Sequence, residues 1–224
     1  MASNIAQMID PDALAIVLAG TVLATVARCG WGDLRVTASE LCKLGRTTFN
    51  EDANRVALAR TVHEIECKGQ LGAEVQRPPD ASLAKLVDTY LRQGSLDAMH
   101  SVRHAERTAR DIKRMRAVRV FEYAGELAPV FGLVGTLFAI TQLMPGTSRA
   151  VEATMGAIAT AVLSTLYGVL TAHLICVPLG RAIDRRGERE KLAREQLTEW
   201  LCRHLREQPA KLVSSAQPSI RDAA

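Results

Sequence analysis

The chain has 224 residues, a net charge of +4 and 48% hydrophobic residues. That suits one domain or a small membrane unit, and a mean hydropathy of +0.04 does not exclude the second, because charged and uncharged stretches alternate. A basic balance raises nucleic acid as a partner, but 17 of the 28 Lys and Arg fall between Arg28 and Arg119, 10 from Arg181 onward, and only Arg149 elsewhere. With no recognition motif or interleaved aromatics, nucleic acid is not expected to bind.

Residues 1–12 carry no Lys or Arg and two aspartates, Asp10 and Asp12, and lack the basic region and cleavage site of a signal peptide. The uncharged run 13–27, extended through Cys29 to Trp31, predicts a first transmembrane helix over 13–31. Acids before it and Arg28 and Arg35 after it place 1–12 outside.

A cytoplasmic helical domain is expected over 32–120, with helices near 33–47, 51–73, 81–93 and from 95 onward. Turn signals stand at Arg77-Pro78-Pro79-Asp80 and Gly94-Ser95, and Val56, Ala59, Val62 and Ile65 recur at helical spacing. No convincing alternating strand run occurs. From Ser95 to Met144 the only proline is Pro129, so one helix is predicted to run on into the bilayer. Its basic stretch, Arg103 to Arg119, leads to Phe121 and Tyr123, where membrane lipids and an interfacial anchor are expected.

Two uncharged runs, 127–148 and 153–180, are long enough for the roughly 30 Å hydrocarbon core. They predict a second transmembrane helix over 121–146, an external turn over 147–152 and a third transmembrane helix over 153–180. A charged cytoplasmic helix follows over 181–207, with Leu197, Trp200, Leu201 and Leu205 on one side, and a disordered tail over 208–224. The predicted fold class is an all-α integral membrane protein, three transmembrane helices with long cytoplasmic helical extensions.

Each long span carries a stripe of small residues opposite larger apolar ones. In one it is Ala128, Gly132, Gly135 or Thr136, and Ala139; in the other Thr154, Ala157, Ala161, Thr165, Gly168 and Ala172. The small side suits close helix contact and the other suits lipid. Thr136 and Thr165 sit near the middle of their spans. Each hydroxyl either bonds its own i−4 carbonyl and nothing more, or lines a path for an ion. Neither uncharged run, 127–148 or 153–180, holds Asp, Glu, Lys or Arg, so a proton carrier would have to come from a partner. His173 is more simply a local polar contact than a relay. Five cysteines without CxxC pairs, and His100 and His104 without a third ligand, predict no metal site, no cofactor and no enzyme.

APVFGLVGTLFAI (128–140) and AVLSTLYGVLTAHLICVPL (161–179) resemble the paired membrane motifs of the MotA/TolQ/ExbB ion-channel family. MIDPDALAIVLAGTVLATV (8–26) resembles the second span of its flagellar branch. The resemblance implies a homo-oligomer, a pentamer, in the bacterial cytoplasmic (inner) membrane with its C-terminus in the cytoplasm. The ring would surround a MotB-like, or TolR/ExbD-like, single-span partner whose membrane aspartate carries a proton or sodium ion, turning ion flow into rotation. It implies that Thr136, Thr165 and Ser164 line the ion path and that Pro129 and Pro178 are hinges. Location alone suggests Glu126 and Glu122 as the cytoplasmic ion exit.

Against the flagellar pattern of four spans, the first is absent here, leaving a three-span topology like the TolQ branch. CKGQLGAE (67–74) resembles the segment that contacts the flagellar rotor protein FliG, with Glu74 as its acid, but Glu66 stands where the family has arginine. The leading expectation is a stator-like proton channel subunit. The alternatives are a TolQ/ExbB-like energiser of envelope transport or integrity and a non-conducting membrane scaffold.

Overall fold

The structure is a computed structural model that describes residues 10–45, 49–68, 76–141 and 150–215. Among them the chain is helical: α1 Pro11–Cys29, α2 Trp31–Leu44, α3 Glu51–Lys68, α4 Ala81–Gln93, α5 Leu96–Thr141, α6 Ala150–Leu170, a π turn Thr171–Cys176 and α7 Val177–Ser215. No strand occurs among the described residues. The chain divides into two units, one of Met1–Arg46 with Lys113–Arg185, the other of Thr47–Ile112 with Arg186–Ala224.

By length and composition, α5 and the helix over Thr154–Arg206 are each long and apolar enough to cross a membrane, and both run through the two units. The pair Ala13–Cys29 and Trp31–Leu44 meets that test only together and is bent by 114°. The helix expected over 13–31 therefore stops at Cys29. Gly30 takes φ +80°, a left-handed conformation that ends the helical hydrogen-bond ladder and that a side chain would resist.

Helix α1 is fastened to its neighbours along its length. At its start the Asp10 carboxylate accepts from Ala13 N–H at 3.3 Å and from the Thr160 hydroxyl of α6 at 2.7 Å, while Asp10 N–H donates to the Tyr167 hydroxyl at 3.3 Å. Midway, a Cβ on Gly20 would fall 2.3 Å from the Phe131 ring, so only glycine lets that ring lie on the α1 backbone. Near its end the Arg28 guanidinium lies 4.0 Å over the Tyr123 ring and bonds Glu126 at 3.2 Å.

The span expected to be one α-helix over 153–180 opens into a π turn over Thr171–Cys176, with Val177 N–H bonding the Ala172 carbonyl. Pro178 follows two residues after the turn. Its ring crowds the preceding turn and it offers no N–H, so the wider turn re-pairs backbone groups that an α-helix would leave strained. Beyond the expected boundary at 207, α7 continues to Ser215. Ala210, Lys211 and Leu212 are good helix formers, and a polar composition does not by itself end a helix.

In the second unit the core joins Leu58, Val62 and Ile65 of α3, Leu83, Leu86 and Val87 of α4, Met99 of α5, and Leu197, Leu201 and Leu205 of α7. The α7 face reads as expected, with Trp200 packed at its margin. The α3 stripe holds at its end and not at its start: Val62 and Ile65 are buried as expected, Val56 and Ala59 are exposed, and the inward face runs through Asn54, Leu58, Thr61, Val62 and Ile65. Spacings of three and four from Asn54 generate this face, and its polar members are satisfied internally. The Thr61 hydroxyl donates to Ala57 O at 2.9 Å, and Asn54 donates to Asn50 O at 2.7 Å and accepts from Asp80 N–H at 2.9 Å.

Asp80 also caps α4, its Oδ1 accepting from Ser82 N–H at 3.0 Å and Leu83 N–H at 3.2 Å. Its other oxygen takes Arg194 Nε at 2.9 Å, and Arg194 lies 4.5 Å over the Phe49 ring.

Candidate ion-path hairpin

The membrane half of α5 and α6 meet along their small residues. A Cβ on Gly132 would fall 2.9 Å from the Ser164 carbonyl oxygen, one on Gly135 2.7 Å from Ser164 Cβ, and one on Gly168 2.6 Å from the Ala128 carbonyl oxygen. Backbones that approach this closely leave room for nothing larger than hydrogen at these positions. Ala128, Ala139 and Ala172 are buried. On the outer sides Leu133, Leu137 and Ile140 of α5 and Val162, Leu166 and Leu170 of α6 are exposed in the single chain.

The expected ion-path residues divide into two kinds. Ser164 is fully buried in the seam, and its hydroxyl lies 3.2 Å from the Gly132 carbonyl of the facing helix and 2.9 Å from its own Ala161 carbonyl. Thr136 and Thr165 flank the seam, each partly exposed. The Thr136 hydroxyl donates to Leu133 O at 2.6 Å, one residue closer than the i−4 bond, and the Thr165 hydroxyl lies 3.4 Å from Ala161 O. Their donor hydrogens are turned onto the backbone and their lone pairs remain to accept. Of the two expected choices on α5, the seam takes Gly135 and leaves Thr136 at its edge.

Pro129 lies inside α5, which continues through it, and its Cα would be 3.2 Å from a Cβ on Gly168. Pro178 follows the π turn. Glu126 is held by Arg28, while Glu122, one turn earlier, is exposed. Glu74 lies outside the described residues, as do residues 142–149 of the connecting turn.

Two features were not foreseen from the sequence. Asp10 sets a carboxylate against α6 within the second uncharged run, and Arg28 crosses to Glu126. In the sequence an acid just before a span and a base at its far end are orientation signals, and nothing local pairs either with a residue on another helix.

The sequence profile of the MotA/TolQ/ExbB proton channel family matches residues 75–196, from the turn before α4 through the hairpin and into α7. The chain belongs to this family. Within it, the chain is 27% identical over 131 residues to the uncharacterised protein YtxD of Bacillus subtilis, covering 54% of this chain and 47% of that one, about half its length. It is 20% identical over 195 residues to the chemotaxis protein PomA of Vibrio alginolyticus, covering 87% and 77%. Among solved structures, the flagellar MotAB stator complex from Bacillus subtilis shares the fold with a TM-score of 0.72 at 18% identity, over 94% of this chain and 86% of that one. Family membership and the apolar helices identify an all-α membrane protein.

Proposed function

We propose that this member of the family is a proton-conducting subunit of a stator-like rotary motor. It forms a pentameric ring around a MotB-like single-span partner and converts ion flow to rotation. The observation that carries the reading is the hairpin, in which Thr136 and Thr165 flank a closed glycine and serine seam while neither uncharged run contains Asp, Glu, Lys or Arg. A proton crossing these runs meets no carboxylate of the hairpin, so the titrating carboxylate belongs to the partner and the hydroxyls supply acceptors beside it. Asp10 does not take that part, because its two carboxylate oxygens already serve the α1 N-terminus and Thr160.

On this reading α1, the outer part of α5 and α6 with its π turn cross the cytoplasmic membrane, with residues 1–12 outside and the second unit in the cytoplasm. Ions leave past Glu126 and Glu122. Pro129 and Pro178 act as hinges, and the π turn beside Pro178 is a place where backbone pairing can shift by one residue. The uncovered outer faces of α5 and α6 meet lipid, neighbouring copies and the partner span. FliG would act on the second unit, where Glu66 is exposed on α3 and Glu74 follows.

Replacing Thr165 with valine keeps the shape and deletes the acceptor. In cells that express the chain with its partner, Thr165→Val is expected to abolish proton flux and motility while membrane insertion and partner co-purification persist. Unchanged flux would overturn the proposal.

A further inference from the structure

Helix α2 starts one residue after α1 ends, and the two are bent by 114° at Gly30. Spanning helices tilt from the bilayer normal by at most about 40°. If α1 crosses the bilayer, a helix turned that far cannot run on away from the membrane, and it lies near the plane of the surface where α1 emerges.

The residues of α2 are arranged for that place. Trp31, Leu34, Ala38, Leu41 and Cys42 recur at three and four residues and form one stripe. Two of its large members are open, Trp31 at 65% and Leu41 at 38% exposure, and Leu34 between them is partly exposed. The other side is occupied by the protein itself: Thr37 is buried with its hydroxyl on Asp33 O at 2.7 Å, and Asp33 pairs with Arg116 of α5 at 3.7 Å. Arg35 is exposed at the border of the stripe, and Lys43 is held by Glu40 at 2.7 Å. An open apolar stripe with tryptophan at one end and a cation at its edge matches the boundary between headgroups and acyl chains, where tryptophan rings collect and arginine reaches phosphate.

We propose that α2 is an interfacial helix, its Trp31 and Leu41 stripe seated in the lipid leaflet at which α1 ends. Continuity with the span selects lipid over a protein partner, because the 114° turn brings the stripe to the bilayer surface before any other surface. The inference rests on α1 crossing the bilayer and not on ion conduction.

The chain has two tryptophans, Trp31 and Trp200. The full chain carrying Trp200→Phe is reconstituted in phosphatidylcholine vesicles whose acyl chains are brominated either near the carbonyl end or near the methyl end. Trp31 emission is expected to be quenched strongly by the shallow bromines and less by the deep ones, and to be shielded from aqueous iodide. Leu34→Gln with Leu41→Gln should reverse the shielding.

Emission open to iodide and unquenched by either lipid overturns the proposal, and so does emission shielded from iodide but unquenched, which would mean a protein cover such as a second copy. A companion chain with Trp31→Phe, Trp200→Phe and Leu23→Trp reports on α1 itself, since Leu23 is 73% exposed midway along it. Deep quenching there, together with an unquenched Trp31, sinks the interfacial helix while leaving the span. Proton flux in the same vesicles is read separately.

Discussion

The two units of this chain are held together by opposite means. In the second, large side chains fill the space between helices: Leu58, Leu83, Met99, Leu201 and Leu205 are nearly or fully buried, and the Arg194 and Asp80 ion pair is enclosed beside them. In the first, α5 and α6 touch through Gly132, Gly135, Ser164 and Gly168, and the leucines face outward. Water explains the difference. A helix in water gains by removing leucine from solvent, about 25 cal/mol per Å². In lipid that gain vanishes, because acyl chains are as apolar as leucine, and close backbone contact decides which sides meet.

The contrast predicts where each unit breaks. The largest effect belongs to Gly168→Leu: with the Ala128 carbonyl 2.6 Å from a Cβ at that position, α5 and α6 cannot close, and the purified chain should lose its assembled form while Trp200 emission still reports a folded second unit. Leu201→Ala is the counterpart in the second unit. It empties a fully buried position and should lower that unit's stability by about 2–5 kcal/mol, measured by Trp200 fluorescence during denaturant unfolding in a Trp31→Phe background. Loss of the hairpin before the second unit in the Leu201→Ala chain would overturn this contrast between the two units.

Ser164→Ala sharpens the same comparison at smaller scale. It removes a hydroxyl from the Gly132 carbonyl at 3.2 Å and is expected to cost about 0.6 kcal/mol, seen as a modest drop in thermal stability in detergent with flux retained. Flux lost to the degree seen for Thr165→Val would place Ser164 in the path itself.

The smallest effect is confined to acid. The hydrogen bond from Lys85, aided by Ser82 and by the charges of Lys85 and Arg110, holds the Glu106 carboxyl below its ordinary value of 4.5 despite burial. A depressed carboxylate contributes stability that is present above its unfolded pKa and lost as pH falls through its folded one. The second unit should therefore weaken as pH drops below about 4.5, and Lys85→Met should flatten that acid limb. An acid limb unchanged by the substitution would remove Glu106 from the account.

Helical identity and the positions of the long spans were legible because both are local. A run of 22 or 28 uncharged residues is its own evidence, and so is the lack of punctuation that lets α5 continue through Pro129. Less local features were blurred. The expected α3 stripe through Val56 and Ala59 and the observed one through Asn54 and Leu58 share Val62 and Ile65 and part only in the first turns, and both contain enough apolar residues to pass a periodicity test. Gly135 and Thr136 are adjacent candidates for the stripe on α5, and the approach of Ser164 selects the glycine. The bend at Gly30 was invisible because a glycine flanked by Cys29 and Trp31 reads as apolar continuation, and its φ of +80° is a property of the folded backbone.

By itself, then, the sequence determined an all-α membrane chain, its long uncharged runs and the absence of Asp, Glu, Lys and Arg from those runs. Those follow from hydropathy, helical period and residue chemistry, which need no partner. The tertiary structure decided which side of each helix is inside, that Ser164 belongs to the seam while Thr136 and Thr165 flank it, that Asp10 and Arg28 fasten α1 at its two ends, and that α2 turns away at Gly30 with its stripe uncovered. Adjacent positions on a helix point about 100° apart, and only the surface that arrives to pack against them tells one from the next.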